Sequence, residues 1–329
     1  YIYFIPVIYI KFFVFHKKSM EQRKLIKFGN NSYVISLPKK WVQENALTKG
    51  TPLYIQEQDN TLRITSTRPT HPHQDKELRL DGSQDLEALK LNIISAYINN
   101  YKRIIILNPR EKVHNIRNIL HNTIALEIIE QTPNIIVAQD YLDLEEISIQ
   151  ELLKQSDVLI RSMLSDTNTL IAKKQTYKNT AFAQEISERD EDINRLTLLA
   201  HKTIKYRLTK ANEDAVALLN FWETTKTLEK IGDEIKRVVR LLIQRELQRY
   251  KELIYLLRDV ETHHSNIMDI YYANDKEGAL LLAAKKHTRM EQATKLYKTY
   301  HNNLTIATCL TRILIILQYQ NILLRMTYQ

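Results

Sequence analysis

The chain of 329 residues carries a net charge of +9 and holds only 5 glycines, 7 prolines and one cysteine. That length exceeds what one core usually supports, so two or three domains are expected, and the scarcity of glycine and proline favours long helices over an all-β chain. A lone cysteine, Cys309, excludes an internal disulfide framework and a Cys-rich zinc site and fits a reducing cytoplasm, while the positive charge suits a nucleic-acid or anionic-membrane surface.

Residues 1–19, YIYFIPVIYIKFFVFHKKS, form an apolar tract broken by Pro6 and Lys11. The tract is too short to make a stable transmembrane segment, and no small-residue cleavage site follows it. A recognisable domain begins at Met20, so residues 1–19 are expected to be upstream sequence outside the working protein. A peripheral membrane tether is the alternative.

Residues 20–66 read as a small basic β domain. Residues 23–28 are strand-like, Gly29, Asn30 and Asn31 make a turn, and residues 32–37 alternate with Tyr33, Ile35 and Leu37 on one face. Pro38 suits the first turn of a helix over 39–47. A second hairpin joins 53–56 to 62–65 through Gln58, Asp59 and Asn60. So few apolar side chains scarcely make a core alone, so the domain is expected to pair with a second chain. The run SLPKKWVQENALTKGTPLYI resembles the AbrB/SpoVT DNA-binding family, and the resemblance implies a swapped-hairpin dimer with basic loops on double-stranded DNA. Arg23 and Lys24 fall where that family carries basic DNA contacts; the candidate contacts are Arg23, Lys24, Lys27, Asn31, Lys39 and Lys40. Asn30, Asn31 and Ser32 replace an arginine-bearing turn, and Lys39 and Lys40 come early after the proline. These departures leave the base-reading residues open, while phosphate contact by lysine or arginine is expected. The competing reading is a β module used only for dimerisation. Related small modules serve as antitoxins, in short chains without so long an extension.

Residues 67–76 read as a linker, with TRPTHPHQ carrying two prolines and no other apolar residue. Its His71 and His73 lack ligand partners at metal spacing and are expected to be solvated. Over 77–147, strands at 77–80, 103–107, 126–130 and 134–139 alternate with helices at 84–99 and 113–122, an α/β layer with helices on one face. No glycine-rich phosphate loop occurs, which argues against a P-loop or Rossmann nucleotide site. Glu111 and His114 form a lone ExxH, expected to be a helix-surface pair.

From 148 to 329 apolar residues recur at spacings of 3 and 4, and helices are expected at 148–174, 178–210, 213–244, 246–272, 277–300 and 302–327. Six antiparallel helices can form two three-helix bundles. Within the third lies LEKIGDEIKRV, residues 228–238, whose Glu229 and Asp233 stack one turn apart and repel unless a cation, a basic partner or solvent screens them. A second ExxxD pairs Glu188 with Asp192. On spacing alone, two solvated acidic faces are the commoner meaning. LEKIGDEI, however, resembles the LERIGDHA run of PhoU-type phosphate uptake regulators, whose paired acidic helices hold metal ions. The resemblance implies a divalent or trivalent metal ion, Mg, Mn or Fe, held by Glu188, Asp192, Glu229 and Asp233, an all-oxygen set suited to a hard cation. Asp190 and Glu191 are then expected to point away. Gly232 weakens a helix by about 1 kcal/mol against alanine, which hints at close approach of a neighbour. The last helix, LTRILIILQYQNILLRM, is free of acids, so no second carboxylate cluster is expected there. Glu261 with His264 is another lone ExxH, and Tyr255, Tyr271, Tyr272 and Tyr297 are expected to pack between helices.

AYINNYKRIIIL resembles the middle region of archaeal regulators that join an AbrB-type domain to a PhoU domain, and the order of the whole chain from Met20 matches that plan. The expectation is a multidomain α+β protein: a small swapped-hairpin β domain, an α/β middle domain, and an all-α PhoU-like domain of two three-helix bundles. By resemblance it is a cytoplasmic transcriptional regulator of phosphate uptake, a homodimer or higher oligomer, whose helical domain senses a signal or docks a transporter ATPase or sensor partner. The competing class is a metal-binding adaptor that regulates a transporter or kinase without touching DNA. No Ser/His/Asp or Cys/His arrangement supports an enzyme.

Overall fold

The computed structural model describes residues 22–29, 32–58, 61–66, 76–172, 180–210, 213–244, 247 and 250–328, which fall into two compact units, Tyr1–Gln74 and Asp75–Gln329. The expected extension at 1–19, Asn31 and nearly all of the expected linker lie outside the described residues.

In the first unit, β1 (Ile26–Phe28) pairs antiparallel with β2 (Ser32–Val34), Ile26 opposite Val34 and Phe28 opposite Ser32. Gly29 follows β1 at a φ of +67°, a conformation open to a residue without Cβ. Helix α1 (Lys39–Glu44) starts after Pro38 and ends earlier than its apolar pattern suggests, because Ala46 turns the chain at a φ of +50°. A second antiparallel hairpin joins β3 (Tyr54–Gln58) to β4 (Thr61–Thr65). None of the α1 residues is buried. Phe28 is 71% exposed, and Leu25, Ile26, Tyr33, Ile55 and Leu62 are exposed with it, so the apolar faces of both hairpins lie open in a single chain.

The second unit begins with a four-stranded sheet ordered β5-β6-β8-β7, from β5 (Glu77–Asp81), β6 (Arg103–Leu107), β7 (Leu126–Gln131) and β8 (Ile135–Asp140). β5 and β6 are parallel because α2 (Leu86–Ile98) carries the crossover between them; α3 (Val113–His121) then leads to the β7-β8 hairpin, which lays β8 antiparallel against β6. Leu89, Ile93 and Tyr97 of α2 and Ile116 and Leu120 of α3 pack on Ile104, Ile106, Ile136 and Ala138 of the sheet. The Gly82 amide donates to the Leu107 carbonyl at 2.6 Å. A Cβ at Gly82 would stand 2.8 Å from both that oxygen and Pro109 Cα, atoms of the backbone that cannot swing aside. Gly82→Ala should therefore lower stability by about 1–3 kcal/mol in urea unfolding.

Helices α4 (Ile149–Ala172), α5 (Thr180–Arg207) and α6 (Ala215–Gln244) pack on one another as one three-helix set. The second set comprises α7 (Lys251–Ala273), α8 (Lys276–Ala284), α9 (Lys286–Tyr300) and α10 (Leu304–Tyr328). The helix expected over 277–300 is broken: Lys285, at φ −85° and ψ 0°, leaves helical geometry between α8 and α9. α10 packs on α6, α7, α8 and α9, and α4 on α7, so a single core with Ile160, Ile231, Ile235, Val260 and Ile313 runs through both sets. Among the described residues α10 is the helix long and apolar enough to cross a membrane, yet half of its most apolar stretch is buried in this bundle.

Sheet and bundle are fastened along α5. Lys202 of α5 is fully buried and donates to Asp140 at the end of β8 at 2.6 Å, with its ammonium 4.0 Å from the centre of the Tyr97 ring. Further along, the Tyr206 hydroxyl bonds Glu145 at 2.8 Å and Arg207 donates to the Ile147 carbonyl at 2.7 Å.

Candidate functional site

Glu229 and Asp233 of α6 lie on a stripe with Lys226 and Lys236, at steps of three and four that keep one face of a helix. Across from it on α5 stands Asp190, 2% exposed. Lys236 bridges the two helices: its ammonium donates to Asp190 and lies 3.0 Å from Asp233. Lys226 pairs with Glu229 at 3.1 Å, and Asn194 reaches Asp190 at 3.5 Å. Burial pushes the Asp190 carboxyl above its ordinary range, with Asp233 and Glu229 adding to the push and Lys236 opposing it. Burial alone would pull Lys236 down, but its hydrogen bonds to Asp190 and Asp233 hold it above its ordinary value, so it stays an ammonium ion.

Of the four expected metal ligands, the structure sets Glu229 and Asp233 in this cluster and leaves the other two out. Glu188 is exposed and accepts from Gln184 at 3.1 Å; the Asp192 side chain is 54% exposed and pairs with Arg195 at 3.4 Å. Asp190, expected to point away, takes the inward place instead. The cause is helical phase: two residues in either direction turn a side chain by about 200°, to the other side of the helix. The register was readable from Ile186 and Ile193, four before and three after Asp190, both fully buried. Among the described residues no three His, Cys, Asp or Glu side chains are placed to hold a metal ion together. The donor set at the cluster already has a cation on it, so it does not fit a metal as it stands.

Gly232 marks the close approach of the two helices. A Cβ there would lie 3.1 Å from Ile193 Cδ1 and 3.6 Å from Asp190 Oδ1. Sequence reasoning also missed Glu234, 4% exposed, which bonds Arg237 and lies 3.4 Å from Arg312 of α10, tying the two helix sets together.

Beside the cluster a cleft of about 310 Å³ opens between α2, α3, α5 and α6, with Lys90, Asn122, Arg195, His201, Lys226 and Glu229 on its wall. His201 stacks on Trp222 with ring centroids 3.4 Å apart, and burial, aided by Lys226, brings its pKa down to about 4.

The candidate DNA contacts sit in the first unit. Lys24 and Arg23 precede β1, Lys27 lies in β1 opposite Tyr33, and Lys39 and Lys40 form the first turn of α1; all five are exposed. Lys40 lies 3.9 Å from Glu44, an exposed pair that holds neither side chain firmly.

Residues 26–72 match the family model of MazE, described as antidote-toxin recognition and bacterial antitoxin, and residues 153–242, which span most of α4 through α6, match that of the PhoU domain. No curated protein and no solved structure matches the chain. The chain therefore carries a MazE/AbrB-type domain at its N-terminal end and a PhoU domain in its helical part.

Proposed function

We propose that the protein is a DNA-binding transcriptional regulator of phosphate uptake or homeostasis, working in the cytoplasm as a homodimer or higher oligomer. The observation that carries this reading is the joining of a MazE/AbrB-type domain and a PhoU domain on one polypeptide. The exposed Ile26, Phe28, Tyr33 and Leu62 support a dimer formed through the hairpins, since an apolar face of that size in so small a unit asks for a partner of equal shape. In such a dimer the exposed Arg23, Lys24, Lys27, Lys39 and Lys40 occur twice, as a duplex with two strands requires. On this reading the helical part takes the signal or docks a transporter ATPase or sensor partner, and its attachment to the sheet through α5 gives that signal a rigid path out of the bundle.

The salt dependence of DNA binding by the full chain tests the first half. Removing one phosphate contact should flatten the slope of log affinity against log salt by about 0.9, so Arg23→Gln with Lys24→Gln, which removes four contacts from a dimer, should flatten it by about 3.6. A slope unchanged by both substitutions would remove these residues from the DNA surface. Failure of the wild type to bind any duplex would favour the second reading, a PhoU-like adaptor that regulates a transporter or kinase without DNA. That second reading rests on the PhoU match alone.

A further inference from the structure

The PhoU resemblance implies a metal ion between acidic helices, and the side chains at that place supply a different cation. Asp190, Glu229 and Asp233 bring three negative charges to the α5–α6 contact; Lys236, Lys226 and Arg237, the last 3.3 Å from Asp233, bring three positive ones, all from α6 itself. We propose that the Lys236 ammonium is the resident cation of this site and takes the place of a metal ion in holding α5 to α6.

The geometry carries the assignment. A hard metal ion binds through carboxylate lone pairs, and Lys236 already occupies one oxygen of each, Oδ2 of Asp190 and Oδ1 of Asp233. Lys236 is largely buried, its side chain 17% exposed, and Asp190 is more so. A metal would have to shed water and expel an ammonium group that is bonded to both carboxylates. The lysine needs no such exchange: it is attached to the chain, so its local concentration never falls. An ammonium also carries three donors, enough to bond two carboxylates on neighbouring helices with one to spare. The contact between α5 and α6 is thereby made independent of the supply of metal in the cell. It follows that a signal reaching this bundle acts elsewhere than by loading these carboxylates with a divalent ion. This inference stands apart from DNA binding, and its test does not use DNA.

The test is Mn²⁺ binding by the full chain after treatment with a chelator, read from the free-ion resonance signal, beside melting with and without Mn²⁺. The wild type should melt at the same temperature in chelator and in Mn²⁺. Lys236→Met should melt lower in chelator, bind Mn²⁺ at least about tenfold more tightly than wild type, and lose that gain when Asp233→Asn is added. A Lys236→Met protein that folds and gains no affinity overturns the proposal. If that variant does not fold, Asp190→Asn decides between the two cations. With lysine as the cation, Asp190→Asn lowers the melting temperature equally in chelator and Mn²⁺. A wild type that is stabilised by stoichiometric Mn²⁺, and a stabilisation that Asp190→Asn abolishes, would overturn it.

Discussion

Asp140→Ala should destabilise the unit Asp75–Gln329 by about 3–5 kcal/mol, and Lys202→Met by clearly less. The asymmetry follows from what each substitution leaves behind. Lys202 is fully buried, and Asp140 is the carboxylate it reaches; without Asp140 its ammonium keeps the face of the Tyr97 ring, 4.0 Å away, which returns about 0.5–2 kcal/mol. Burial already pulls Lys202 below its ordinary pKa while Asp140 works against that, so without Asp140 the lysine is driven towards its neutral form. Asp140, by contrast, has other partners. Lys102 lies 3.5 Å away, and the Leu142 amide donates to its second oxygen at 3.0 Å. Removing Lys202 thus leaves a carboxylate that keeps one hydrogen bond and one ion pair. Urea unfolding followed by the fluorescence of Trp222, which stacks on His201 next to Lys202, gives both values. The double variant should cost less than the sum of the two, by about 0.5–3 kcal/mol. Equal single costs and strict additivity would mean that the pair is not coupled as its geometry implies.

The same pair shows which parts of the fold a reader of the sequence can reach. The strands of the sheet are rich in valine, isoleucine and leucine and bounded by turn residues. Of the two helices between them, α3 repeats at 3.6 while α2 is apolar on most of its faces and is marked by Asp85 at its start, so all six elements were legible within a few residues. The Lys202–Asp140 contact spans 62 positions and joins residue types that are usually exposed; nothing local announces it. The break at Lys285 was hidden for another reason. It has neither glycine nor proline, and the turn lies inside a run that is periodic on both sides. Asp190 is the instructive miss. Its phase with Ile186 and Ile193 places it on the buried face, whereas the ExxxD spacing of Glu188 and Asp192 points to the opposite one, and phase decides. In the first unit the hairpins were legible from their turns, whereas a core was not, because most of the apolar side chains stay exposed in one chain. The PhoU match ends where α6 does, and the acid-free α10 belongs to the helix set beyond it.

Acidification should weaken the helical unit through two buried histidines. Burial and Lys226 lower the pKa of His201 to about 4; burial, Arg289 at 3.4 Å and His264 lower that of His263 to about 3. Both are neutral in the folded protein near neutral pH, whereas in the unfolded chain each takes up a proton near pH 6.5. Between those values the unfolded state binds more protons, so stability is complete above about pH 6.5 and falls as the pH is lowered towards about 4 and 3. At about pH 5 the loss should be about 2 kcal/mol for each histidine, or about 4 kcal/mol for both. His201 lies on α5 and His263 on α7, in different helix sets, so their effects should add. Other groups titrate in the same window, and carboxylates paired in the folded state also lose their contribution in acid. The histidine part is isolated by comparison with His201→Phe, which keeps a ring against Trp222, combined with His263→Leu. Stability from urea midpoints at several pH values should fall less steeply in the double variant, by about 4 kcal/mol between about pH 7.5 and 5, whatever its stability at the higher pH. Parallel curves for the two proteins would mean that these histidines are protonated in the folded state, which their burial beside Lys226 and Arg289 opposes.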